Sequence, residues 1–224
     1  MSNLALKLSL LLNVVLLAVG VSVLQSSYLR WVLYERIAER FGSPEIAFMG
    51  DSITAFGFVW GPRIGQYNLN VRNFAKKGFT TGQMLPLVRD VSLVEPKACF
   101  IMAGINDIIR AEETDGENEE AKRNYRKIID ALIERKIVPV ITLTLYRQNE
   151  PHPDSVDDLN RFLQALAKEK NLTVISLQED LCENRSLMPA YTEDGLHLNK
   201  RAYKIWAVKI RQVLVEKGIA DRNE

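Results

Sequence analysis

Beyond residue 44 the chain alternates between two hydrophobic textures. Glu45 to Met49, Leu69 to Phe74, Ala98 to Ala103, Ile137 to Leu143 and Leu172 to Leu177 are short apolar runs of strand length, several of them rich in Val and Ile. Branched side chains of that kind suit a buried, pleated surface, so five strands are predicted. Between them lie stretches with helical spacing. Ala121, Tyr125, Ile128, Ile129, Leu132 and Ile133 recur at i, i+4, i+7, i+8, i+11 and i+12, which lays an apolar stripe along one helix face. A last helical pattern covers Lys200 to Lys217. Alternating strands and helices predict a parallel sheet, and strands that are apolar throughout need cover on both faces. The expected fold class is α/β, a three-layer α/β/α sandwich on a five-stranded parallel sheet. In such folds ligands gather at the carboxyl ends of the strands.

The amino terminus has a different texture. Leu8 to Leu24 is apolar except for Ser9, Asn13, Gly20 and Ser22, and Lys7 precedes it. The stretch exceeds the roughly 7 to 15 residues of a cleavable signal core and reaches the short end of the roughly 17 to 25 residues that span a bilayer. It reads as an uncleaved signal-anchor, or as a signal peptide cut near the small residues Ala18 and Gly20. Lys7 and the terminal amine on one side compete with Arg30, Arg36 and Arg40 on the other, partly offset by Glu35 and Glu39, so orientation is weakly specified. No repeat or low-complexity linker follows residue 26. The expected organisation is an N-terminal targeting segment over 1–26 and one domain over 27–224. That domain is expected to be exported, membrane-anchored or secreted, with the membrane reached through the N-terminal segment.

Composition narrows the chemistry. Apolar residues make up 47% and charged residues 25% of 224, which is the balance of an ordinary packed domain rather than a disordered chain. The 29 basic and 28 acidic side chains leave a net charge of +1, so the basic field that nucleic-acid binding needs is missing and no nucleic-acid partner is expected. Cys99 and Cys182 are the only cysteines and lie far apart, which argues against a zinc site. Cys99, inside an apolar run, reads as a small hydrophobe. The acidic residues Glu112, Glu113, Asp115, Glu117, Glu119 and Glu120 lead into the amphipathic stretch at Ala121, where carboxylates favour a helix start rather than a metal. No metal is expected.

Candidate chemistry sits where the strands end. The first strand runs into Gly50-Asp51-Ser52-Ile53-Thr54, which puts a serine hydroxyl at the mouth of the sheet. The same residues also read as a helix cap. They are not the Gly-x-Ser-x-Gly elbow, because Thr54 stands where its second glycine would be. After the second strand comes Gly78, in Lys77-Gly78-Phe79-Thr80, which is either a turn glycine or a backbone N–H open to developing negative charge. The third strand ends in Gly104-Ile105-Asn106-Asp107, where Asn106 is either a turn residue or a neutral donor for an oxyanion. Near the end, Asp194-Gly195-Leu196-His197 spaces a carboxylate three residues ahead of an imidazole. One turn then lets the carboxylate fix the tautomer and leaves Nε2 free to take a proton.

Taken together, these four blocks, in this order over residues 45 to about 215, resemble the SGNH or GDSL hydrolase family. The resemblance implies a flavodoxin-like sandwich. It also implies Ser52 as nucleophile, His197 as general base and acid, and Asp194 as its orienting carboxylate, with an oxyanion hole from the Ser52 and Gly78 N–H groups and the Asn106 side chain. The reaction implied is that of an esterase or acylhydrolase on a small-molecule, lipid or glycan ester, without a cofactor. Acyl transfer, or a catalytically silent carbohydrate- or lipid-binding module, are the alternative readings. Two departures stand out: Ile53 where many members have Leu, and Ala75-Lys76-Lys77 in place of a small, glycine-rich stretch. The second falls at the rim of the expected pocket. Phe56, Phe58 and Trp60 follow the serine closely and read either as an acyl pocket or as core. His152, in Pro151-His152-Pro153, reads either as a rim contact or as a solvated loop residue.

Overall fold

A computed structural model describes residues 3–42, 44–67, 70–112 and 118–220. Two helices come first, α1 (Asn3–Gln25) and α2 (Ser27–Phe41), and β1 (Ile46–Gly50) opens the sheet. The one-turn helices α3 (Ser52–Ala55) and α4 (Trp60–Arg63) lead to β2 (Val71–Asn73), then α5 (Thr81–Met84) and α6 (Leu87–Ser92) to β3 (Ala98–Met102). Next come α7 (Ile105–Glu112), α8 (Glu119–Glu134), β4 (Val138–Thr142), α9 (Pro153–Lys170) and β5 (Thr173–Ile175). The chain closes with α10 (Gln178–Leu181), a small hairpin of β6 (Cys182–Glu183) and β7 (Ser186–Leu187), a 3₁₀ turn at Pro189–Tyr191, and α11 (Lys200–Glu216).

All five predicted strands are present, each within a few residues of its apolar run, and their order is β2-β1-β3-β4-β5 with every pairing parallel. Alternate residues of a strand face opposite sides, so each strand feeds two cores. Ile46, Phe48, Phe100, Val140 and Ile175 pack with Trp206, Ile210 and Leu214 of α11. Ala47, Met49, Cys99, Ile101 and Ile141 pack with Tyr125, Ile128 and Leu132 of α8 and with Leu159 and Leu163 of α9. This is the three-layer sandwich the apolar runs required. Cys99 is fully buried, and burial pushes its thiol pKa up, as suits a small hydrophobe.

The strand order reverses between β1 and β3, because the chain first crosses outward to β2 and then back past β1. Their carboxyl ends therefore part and leave a crevice at the switch point. Ser52 follows β1 and Asn106 follows β3, so the two stand on opposite lips of that crevice.

Other details refine the sequence reading. Ile133, counted on the apolar stripe, is 38% exposed near the end of α8, where the stripe has drifted off the core. Glu119 and Glu120 occupy the first turn of α8, as expected of helix-starting acids, while positions 113–117 of the acidic run and Leu69 of the second strand lie outside the described residues. The leader stretch falls on α1, where Leu10, Leu11, Leu16 and Leu17 are exposed. Among the described residues no helix is long and apolar enough to cross a membrane. Tyr34 of α2 donates to the Val71 carbonyl of β2 at 3.3 Å, which docks α2 against the sheet edge.

Candidate active site

Ser52 is placed by the way β1 stops. Gly50 has no room for a side chain: a Cβ there would lie 2.3 Å from Thr54 Oγ1 and 2.4 Å from the Met102 carbonyl of β3. The chain turns directly against its neighbour, and Asp51 caps the next helix by accepting from the Ile53 N–H at 2.9 Å. Ser52 thereby becomes the first residue of α3, buried to 7% exposure at the head of the crevice.

His197 arrives on a turn that one carboxylate organises. Asp194 Oδ1 accepts from the N–H groups of Leu196 at 3.0 Å and His197 at 2.7 Å, while Oδ2 lies 2.6 Å from His197 Nδ1. Asn199 then caps α11 through the N–H groups of Arg201 and Ala202, which anchors the turn to a long helix. Burial pushes the Asp194 pKa up. The hydrogen bond from the His197 side chain and those from the backbone N–H groups of His197 and Leu196 outweigh it, so the carboxyl is held well below the ordinary range. An ionised Asp194 needs Nδ1 to carry the proton, which leaves Nε2 as an acceptor. That nitrogen lies 2.9 Å from Ser52 Oγ.

The candidate oxyanion donors come together on the other side of the serine. The loop after β2 is tied back to β1 by Lys76 N–H to the Gly50 carbonyl at 3.0 Å. Two residues later Gly78 adopts φ +71° with open space around it. Asn106 Nδ2 donates to the Phe79 carbonyl at 3.0 Å, which spends one of its two N–H groups and leaves the other. Among the described residues neither the Ser52 nor the Gly78 N–H makes a hydrogen bond.

Sequence reasoning missed the brace beneath these donors. Asp107 accepts from the Thr81 N–H at 3.0 Å and from Thr81 Oγ1 at 2.6 Å, and Asn124 of α8 donates to the same Oγ1 at 3.3 Å. Burial raises the Asp107 pKa against these hydrogen bonds. The contact fixes the Gly78 loop to α7, and hence Gly78 to Asn106. Its only sequence signal is the acid after Asn106 facing a Thr-Thr pair after Gly78, and nothing in sequence pairs the two.

The three aromatics after the serine divide. Trp60 is core: it stacks on Phe48 at 4.4 Å and donates to the Thr54 carbonyl at 3.1 Å. Phe56 and Phe58 instead line a cleft of about 270 Å³ with His197, Asp194, Arg63 and Tyr203. Lys77, from the stretch that departs from the family pattern, sits 4.5 Å above the ring of Phe56, which lines the cleft, while Ala75, Lys76 and Lys77 themselves do not line it. His152 is exposed before α9 and donates its N–H to Glu150 at 3.2 Å; it does not line the cleft.

Comparison with known proteins adds to this picture. The model of the GDSL-like Lipase/Acylhydrolase family matches residues 48–205. A protein described as an acylhydrolase from Bacteroides fragilis NCTC 9343 is 24% identical, with a TM-score of 0.71 over 84% of this chain and 96% of that one. A GDSL-like lipase from Bacteroides thetaiotaomicron VPI-5482 is also 24% identical, with a TM-score of 0.69 over 84% and 99%. A lipase/acylhydrolase from Enterococcus faecalis is 21% identical, with a TM-score of 0.63 over 78% and 96%. At these identities the likeness to solved structures is one of fold. No curated protein matches the sequence.

Proposed function

Since the chain belongs to the GDSL-like lipase/acylhydrolase family, we propose that it cleaves carboxylic esters with Ser52 as nucleophile, His197 as general base and acid, and Asp194 as orienting carboxylate. The observation that carries this reading is the continuous run from Asp194 Oδ2 to His197 Nδ1 at 2.6 Å and from His197 Nε2 to Ser52 Oγ at 2.9 Å. In the first step Ser52 Oγ attacks the carbonyl carbon while Nε2 takes the hydroxyl proton, and Asp194 stabilises the imidazolium. The carbonyl oxygen becomes an oxyanion, which receives hydrogen bonds from the N–H groups of Ser52 and Gly78 and from the unspent Asn106 N–H. Collapse expels the alcohol, which His197 protonates, and leaves an acyl-enzyme. Water, activated by the same imidazole, releases the acid and restores the serine.

The test is turnover of p-nitrophenyl esters from acetyl to long acyl chains by the full chain, with Ser52→Ala as reference. Serine-dependent release of nitrophenol is the expected result, and the preferred acyl length separates small esters from lipid esters. Equal rates for the wild type and Ser52→Ala would refute the assignment. An arm with an added alcohol acceptor reads acyl transfer as new ester formed at the expense of free acid.

A second part of the proposal concerns location. The exposed leucines of α1 form an apolar surface that water disfavours and a lipid interface accepts. The reading is of a membrane-associated enzyme, held through residues 1–26 with the domain over 27–224 exported. Membrane fractionation of the full chain, with Leu10, Leu11, Leu16 and Leu17 changed to serine in the comparison, is expected to move the protein from the membrane to the soluble fraction.

A further inference from the structure

Arg63 lies at the end of α4 and lines the same cleft as His197. Two contacts hold it. Nε donates to the Gly57 carbonyl at 2.7 Å, and the guanidinium lies 5.1 Å over the Tyr203 ring, whose hydroxyl is itself fixed on the Ile53 carbonyl at 2.5 Å. The side chain is thus pinned against the loop that follows α3 and against α11. Among the described residues it makes no ion pair. Burial pushes its pKa down, opposed by the Tyr203 hydroxyl and assisted by the like charge of Arg30. A half-buried cation held in no ion pair is an expensive arrangement, and a planar guanidinium with free donors matches a carboxylate or phosphate in two-point geometry. Lys200 lines the cleft as a second cation; of its acids, Asp194 is engaged with His197 and Glu193 remains.

The chemistry says which part of a substrate meets this arginine. In the proposed reaction the departing alkoxide takes its proton from His197 Nε2, so the alcohol portion of the ester must lie against that imidazole. The cleft is lined by His197 and Asp194, and by neither Ser52 nor the candidate oxyanion donors Gly78 and Asn106, so it opens on the imidazole side, where the alcohol portion departs. Phe56 and Phe58 give it an apolar wall. We infer that the cleft binds the alcohol portion of an ester carrying an anionic group, a phosphate or a carboxylate, with Arg63 as the docking cation and Lys200 beside it. This inference rests on the esterase reading of Ser52 and His197. It excludes plain alkyl and neutral sugar alcohols as the preferred leaving groups.

The experiment compares esters that differ only in that charge, using the full chain: butyrylglycerol against butyrylglycerol 3-phosphate, and ethyl butyrate against O-butyryl glycolate. The expected result is a kcat/KM at least about tenfold higher for an anionic member. In Arg63→Gln that ratio is expected to fall toward one, and in Arg63→Lys to be partly retained. Because the readout is a ratio, any loss of activity shared by both esters drops out. A long-acyl pair of the same headgroups in detergent micelles tells a lipid headgroup from a soluble phosphate ester by which acyl length turns over faster. Methyl phosphate binding to Ser52→Ala, followed by calorimetry and lost in Ser52→Ala with Arg63→Gln, gives a readout without turnover. Methyl phosphate binding without serine-dependent hydrolysis would sink the esterase reading and leave the anion site standing. Hydrolysis with a charge ratio near one, or a ratio unchanged in Arg63→Gln, would overturn the anion site.

Discussion

Phe56 and His197 meet edge to face, with ring centroids 4.7 Å apart and planes at 78°. The imidazole is therefore held from two directions, by the Asp194 carboxylate at Nδ1 and by an aromatic ring on its flank. The contact limits rotation of the ring about its side-chain bonds, and so keeps Nε2 aimed at Ser52. Phe56→Ala is expected to lower kcat by about tenfold or more, because a misplacement on the order of 1 Å at a catalytic group is costly in rate. Phe56→Leu should lose less. Equal kcat in wild type and Phe56→Ala, measured on a p-nitrophenyl ester, would show that Asp194 alone orients the imidazole.

In the proposed mechanism Asp194 has two separable tasks, and Asp194→Asn distinguishes them. The amide oxygen can still accept from the Leu196 and His197 N–H groups, so the turn is expected to survive. The neutral group no longer fixes the tautomer or stabilises the imidazolium, and kcat should fall by about 10⁴. A linked effect appears in stability. The Asp194 pKa is lowered on folding, so its contribution is present above the ordinary carboxylate range and is lost as pH falls through the lowered value. Acid denaturation should therefore begin at higher pH in wild type than a chain with Asp194→Asn would show relative to its own neutral-pH stability. Parallel acid-unfolding curves would contradict this.

The fold was legible in sequence because a buried parallel strand has to be apolar on both faces, and five such runs stand out between helical stretches. Ser52, Asp194 and His197 stood out as candidates for a different reason, since each sits in a short block whose local geometry is set within three or four residues. Contacts that join distant segments leave no such mark. Thr81 with Asp107 spans 26 residues and Tyr203 with the Ile53 carbonyl spans 150, and only the tertiary fold brings them together. The fate of Phe56, Phe58 and Trp60 shows the same limit. Composition could not say that Trp60 turns inward onto Phe48 while Phe56 turns toward His197, because that depends on where the one-turn helices point.

Asn106 has one N–H held by the Phe79 carbonyl and one to give. If that second donor reaches the oxyanion, its removal should fall on the transition state rather than on substrate binding. Asn106→Ala is expected to lower kcat by about 10² to 10³ with a smaller change in KM. An effect confined to KM would move Asn106 out of the oxyanion hole and leave it as a tether for the Gly78 loop.

Asp51 supplies a prediction about pH that is independent of substrate. Its side chain is buried, Oδ1 caps α3, and Oδ2 has no partner among the described residues. Burial, with the negative charge of Asp107 added, pushes its pKa up to about 7 against the hydrogen bond from Ile53. The folded chain thus binds a proton that the unfolded chain, near 3.8, has already released. Between those two values the native state holds more protons, so this group's contribution is full below the unfolded value and declines as pH rises through about 7. Asp51→Asn mimics the protonated acid and keeps an oxygen for the Ile53 N–H. Relative to wild type it should therefore gain stability as pH rises, with the largest gain above the folded value. Urea unfolding of both chains from about pH 4 to 9 measures this directly. A stability difference that does not change across that range would mean that Asp51 titrates alike in the folded and unfolded chains.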